Sequence, residues 1–190
     1  MVNYTMKRNT FEMYWSYYLS IEEMFRRTSQ YISHTEDNQH AYSDEFTKII
    51  LLSCSEVDSL LKLLCSCKGV SKKGKYYNMS MYADVLQNTK DIKEYAYCTQ
   101  SSTVSHGVIV FPFKEICTTK QYGGLSWWSD YQSLKHNRLL NAKKGNLFNA
   151  TSAVVAQYLI LRFLIDFLDE YSGKEYVKEH NCSKFWIPVV

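Results

Sequence analysis

Apolar residues recur along this chain mostly at helical spacing. Phe11, Tyr14, Trp15, Tyr18, Ile21 and Phe25 follow one another at steps of three and four, with Glu12, Ser16, Ser20 and Glu23 opposite them. That pattern predicts an amphipathic helix over 10–32. The polar run 33–45 reads as a connector. A second helix is expected over 44–66, where Phe46, Ile49, Ile50, Val57, Leu60, Leu61 and Leu64 form a broad apolar face. Residues 68–77, with four lysines and two glycines and no apolar period, read as a basic loop. A short helix fits 80–89.

The pattern changes between 93 and 113. Tyr95, Tyr97, Val104, Val108, Ile109, Val110 and Phe111 come in short β-branched and aromatic runs, which predict a small extended or hairpin insertion turning at His106-Gly107 and ending at Pro112. Helical spacing resumes in SWWSDYQSLKHNR (126–138), with Ser129 and Gln132 spaced as a capping box and Ser126 as an earlier cap. The longest helix is expected over 147–171, capped by Asn146 and closed by Gly173. Its apolar run invites a transmembrane reading. Gln157, Arg162, Asp166 and Asp169 oppose it, because charged groups at mid-bilayer cost several kcal/mol. The fold expected is an all-α, up-and-down bundle of one domain over 1–190, with the extended insertion set into it.

Composition agrees with helices: only 7 Gly and 2 Pro in 190 residues leave few turns for a many-stranded sheet protein. The N-terminus lacks a signal-peptide pattern, so a cytoplasmic setting with reduced thiols is expected. None of the six cysteines forms CxxC; Cys65/Cys67 and His180/Cys182 are poor, separate half-sites, so no metal and no cofactor are expected. A net charge of +3 says little by itself, since phosphate binding depends on local clusters.

No phosphate loop, dinucleotide fingerprint, zinc-protease helix or nucleophile elbow is present. What remains is YQSLKHNR, together with SEVDSLLK (55–62) on the second helix. His136 with Lys135 or Arg138, near Glu56, is a set able to cleave RNA without metal: the imidazole moves protons and a cation stabilises charge on phosphorus. On an ideal helix His136 and Arg138 lie about 160° apart, so both face one pocket only if the helix ends near Asn137 or a second subunit contributes. The competing reading makes Trp127, Tyr131 and Leu134 core, His136 a cap or bundle residue, and Lys135 and Arg138 solvated.

The pattern PF (112–113), WWxxYxxxKHxR (127–138) and a following Ala- and Leu-rich helix resembles bacterial helical proteins similar to the HEPN superfamily. The resemblance implies a dimeric helical bundle and metal-independent RNA cleavage in a defence or toxin-antitoxin setting. It matches His136 to the motif histidine and Gln132 to a position where Asn is common, while Tyr131 occupies the arginine position. His136 is then the general acid or base, and Lys135 and Arg138 contact phosphate. Glu56 or Asp58 supplies the acidic group, and Tyr131, Gln132, Asp58 and Lys62 line the substrate side. The partners expected are RNA, a second copy and a cognate antitoxin or regulatory protein, with no membrane. The alternative kept open is a non-catalytic interaction module, likewise dimeric.

Overall fold

A computed structural model describes residues 6–72, 74–89, 91–99, 107–168 and 186–189, the last four and 98–99 by backbone alone. Five helices carry the fold: α1 (Arg8–Thr28), α2 (Asp44–Cys67), α3 (Met79–Gln87), α4 (Ser126–His136) and α5 (Leu147–Leu164). Three short strands accompany them: β1 (Ala96–Thr99), β2 (Ile109–Val110) and β3 (Trp186–Val189). The protein is mostly helical with a small antiparallel sheet, as the hydrophobic pattern predicts.

Local chemistry explains most helix starts. The Ser43 side chain accepts from Phe46 N, Asn78 from Met81 N and Asn146 from Asn149 N, each satisfying an amide that the first turn leaves unpaired. α4 is different. It begins at Ser126 without a side-chain cap, and Ser129 lies inside it, bonded through its amide to Leu125 O, so no capping box forms at 129–132.

α5 is the central helix. All its side chains are buried except Phe148, Arg162 and Phe163, which are half-buried. It is the one helix among the described residues long and apolar enough to cross a membrane, but 83% of that stretch is covered by the fold itself. Gln157 is wholly buried in it, and both its amide atoms lack a partner among the described residues. α5 stays α-helical to Leu164 and continues as a single 3₁₀ turn over Ile165–Phe167; Asp169 and Gly173 lie outside the described residues.

Directions follow from the bonds at the helix ends. Met6 N donates to Phe167 O at 2.8 Å, so α1 starts where α5 ends. Ser43 N donates to Gly145 O and Leu147 N to Ala41 O, both at 3.0 Å, so α2 and α5 start together and run parallel. Phe25 and Phe46 meet at 6.5 Å, closing the end of α1 on the start of α2. Arg138, just past α4, pairs with Asp44 at the head of α2. The result is an up-and-down frame of α1, α2, α4 and α5, with α2 against α5 as the main contact.

The sheet order is β2-β1-β3. Tyr97 pairs with Val110 and Cys98 with Ile109, and Gly107 bridges Thr35. Of the expected turn at His106-Gly107, His106 lies outside the described residues. β3 is a strand the hydrophobic pattern did not predict; it sets Pro188 opposite Tyr97 on the sheet edge, where a residue without N–H is tolerated. Tyr97 meets Tyr158 edge-on at 5.4 Å, seating the sheet over α5.

Candidate functional site

The aromatic half of WWSDYQSLKH is core. Trp127 Nε1 donates to Pro112 O at 2.7 Å, and its ring meets Phe113 at 6.3 Å and Trp128 at 5.6 Å. Trp128 in turn meets Tyr131 at 5.2 Å. Tyr131 is buried, and burial, followed by the charges of Cys54 and Asp58, pushes its phenol up to about 12. Tyr131 is thus a packed ring facing α2, covered by Lys135 Nζ at 5.8 Å from its centroid.

The polar half emerges into solvent. α4 ends at His136, and Asn137 leaves helical geometry at φ −152°, ψ 84°. Arg138 is released from the helical angle that would carry it away from His136, and it pairs with Asp44 at 2.9 Å. Lys135, His136, Arg138 and Lys143 are all exposed, and Leu139 and Leu140 are 82% and 84% exposed. The Gln132 side chain is half-buried one turn before His136.

This exposed stretch is held from below by a polar cluster. Lys144 Nζ bonds Ser133 Oγ at 2.7 Å and Asp130 Oδ1 at 3.1 Å. The buried Asn149 amide donates to Asp130 Oδ2 at 3.0 Å and to Lys144 O at 2.9 Å. Asn141 caps the end of α4 through Ser133 O and Asn137 O. Gly145 is required at the base: a Cβ there would lie 2.0 Å from Thr47 Oγ1 on α2. A backbone bridge between Tyr42 and Asn146 then sets Tyr42, half exposed, beside the connection. Tyr42, Leu139, Leu140, Asn141, Ala142, Lys143 and Lys144 enclose a groove of about 330 Å³.

The acidic residues expected to complete the site lie elsewhere. Glu56 is twelve residues beyond Asp44, about 18 Å further along α2. It also points away from α4, because Cys54 and Asp58 are the α2 residues whose charges reach Tyr131, and Glu56 lies about 160° around the helix from Asp58. Glu56 instead adjoins Tyr14 of α1. Asp58 is bonded to Lys62 and accepts from Tyr82 Oη at 3.0 Å, so both residues are engaged by side chains of the bundle. The structure brings Lys135, His136 and Arg138 to one exposed segment and leaves Glu56, Asp58 and Lys62 outside it.

The basic loop at the far end of α2 is also occupied locally: Lys68, Lys72 and Lys75 lie over the rings of Phe167, Tyr77 and Tyr76 at 5.2–5.6 Å. Lys73 lies outside the described residues. A groove of about 940 Å³ between the end of α1 and the start of α2 holds Arg26 and Arg27, both bonded to Glu23. Among the described residues no three His, Cys, Asp or Glu side chains converge as a metal site. Burial pushes the Cys65 and Cys67 thiols up to about 11, so they are protonated at neutral pH.

Tyr42, Leu139, Leu140 and Lys143 are the residues of this site that helical spacing did not single out. Tyr42 sits in a polar connector, and only its bridge to Asn146 carries it there. No family model, curated protein or solved structure matches the chain.

Proposed function

We propose that this protein binds single-stranded RNA in the cytoplasm through the connection between α4 and α5, with His136 as the proton-transfer group of metal-independent cleavage. One observation carries the reading: an exposed tyrosine, Tyr42, stands in a groove with Lys143 and two leucines, on the connection that directly follows the exposed Lys135, His136 and Arg138. An aromatic face flanked by cations is what single-strand binding requires, because bases stack on the ring while the cations follow the phosphates. The resemblance to HEPN proteins supplies the cleavage part. In it Lys135 and Arg138 stand in for the cation that Tyr131 does not provide.

The test is binding of a labelled single-stranded oligonucleotide over a range of salt, with cleavage followed in chelator. Tyr42→Ala should weaken binding by about 1–3 kcal/mol, the worth of one stacked base. Lys143→Ala and Arg138→Ala should each reduce the salt slope by about 0.7. His136→Ala should slow cleavage by about 10² to 10⁴. An unchanged slope and affinity in all of these variants would refute RNA binding here; equal cleavage by wild type and His136→Ala would remove the enzymatic role.

A second reading, association with another copy or a regulatory protein, is favoured by Leu139 and Leu140, adjacent and both more than 80% exposed.

A further inference from the structure

The flank of α2 opposite α4 carries a feature that RNA binding does not use. Glu56 is half-buried there, and among the described residues no hydrogen bond and no ion pair engages its carboxylate. Burial raises its pKa. Lys62, the nearby cation whose charge reaches Tyr14, is bound to Asp58. Around the carboxylate, Thr10, Met13, Tyr14 and Tyr17 of α1 form a groove of about 450 Å³. Its walls are apolar and aromatic, yet they are uncovered: Met13 is 75% exposed and Tyr17 42%. Met13 and Tyr17 also border a second open groove with Asn9, Glu12, Ser16 and Ser20, so they form a ridge with space on both sides.

A carboxylate withdrawn partly from water is stabilised by a cation, and here the cation must come from outside the described fold. Tyrosine rings favour the same charge, and a thioether and two rings suit an alkyl stem. A ridge open on two sides is covered by a length of chain better than by a compact molecule. We propose that this groove takes a basic side chain of a partner polypeptide, an arginine or lysine between apolar residues. Glu56 pairs with its charge, Tyr14 and Tyr17 hold its stem, and the flanking apolar residues rest on the Met13–Tyr17 ridge. The charge sign excludes RNA as the occupant, so the two surfaces are independent.

The probes are acetyl-Leu-Arg-Leu-amide, the same peptide with neutral citrulline in place of arginine, and n-butylguanidinium, titrated into the full chain labelled with ¹³C at methionine methyls. Met13→Leu assigns the resonance. The expected result is a saturable shift of the Met13 methyl, with the arginine peptide bound at least about tenfold tighter than the citrulline peptide, a preference that Glu56→Gln abolishes. Thermal melting of Glu56→Gln checks that the variant is folded, and Glu56→Asp should retain part of the preference. Absence of a saturable shift, equal affinity for both peptides, or a preference that survives in folded Glu56→Gln would overturn the proposal. If n-butylguanidinium binds as tightly as the arginine peptide, the groove takes a small cation and the polypeptide partner is refuted. No RNA is present, so either result leaves the RNA assay to be judged separately.

Discussion

His34 shows how burial can fix a charge state in this protein. It is 2% exposed, its Nε2 lies 2.8 Å from Thr28 Oγ1, and its ring meets Phe25 at 4.6 Å. Burial lowers its pKa from 6.5 to about 4. The unfolded chain therefore binds the proton more readily, and this histidine's contribution to stability is complete above about pH 6.5 and is lost as pH falls towards 4. The loss is on the order of 3 kcal/mol. Melting temperatures measured at intervals from pH 7 to 4 should fall more steeply for wild type than for His34→Gln; parallel curves would show that His34 does not titrate on unfolding. At the same scale, Glu56 and His136 illustrate what one residue's sequence neighbours leave open. Each is a titratable side chain on a helix, but whether it faces α1, α4 or water depends on which helix packs against it, and that is decided by residues far along the chain.

Among the elements, α1, α2 and α5 were legible because their determinants are local: an apolar stripe of the right period and, for α2 and α5, a Ser or Asn cap within three residues of the amide it satisfies. α4 was legible as a helix with a start near Ser126 but not in its capping: the Ser129–Gln132 spacing imitates a capping box, whereas the residue before the first turn is Leu125 and no side chain caps it. β3 was not legible, because Trp186 to Val189 become a strand only by pairing with β1, far back in the chain. The candidate site was half legible for the same reason. Lys135, His136 and Arg138 lie in one run of sequence, whereas Tyr42 arrives through a long-range bridge.

The connection after α4 depends on its closeness to α2. A methyl group at position 145 meets Thr47 Oγ1, so Gly145→Ala should destabilise the protein by about 1–3 kcal/mol in denaturant unfolding. Thr47→Ala in the same chain should recover part of that loss, since it removes the clashing atom. If the double variant is no more stable than Gly145→Ala, strain at this approach is not the cause.

At the scale of the whole molecule, α2 is the common wall. Its head lies beside the groove with Tyr42 and Lys143, one flank faces Tyr131 of α4, and the other carries Glu56. Its 24 residues separate Asp44 from the lysines after Cys67 by about 36 Å, too far for the two basic segments to grip one phosphate. In the self-association reading, the dimer rests on the Leu139–Leu140 tip. Sedimentation should then give a dimer for wild type and a monomer for Leu139→Ser/Leu140→Ser, with unchanged circular dichroism; a wild-type monomer at tens of micromolar would end that reading.

The parallel pairing of α2 with α5 also bears on how the chain is made. Phe46, Ile49, Ile50, Leu60, Leu61 and Leu64 of α2 are wholly or almost wholly buried, and their main cover is a helix that begins only at Leu147. During synthesis α1 and the short α3 are the only helices that can cover α2 until the sheet segment, α4 and α5 have emerged. The nascent chain thus carries an apolar helix in waiting from the completion of α2 until α5 emerges, and the frame closes late, when α5 packs against both α1 and α2 and meets the start of each.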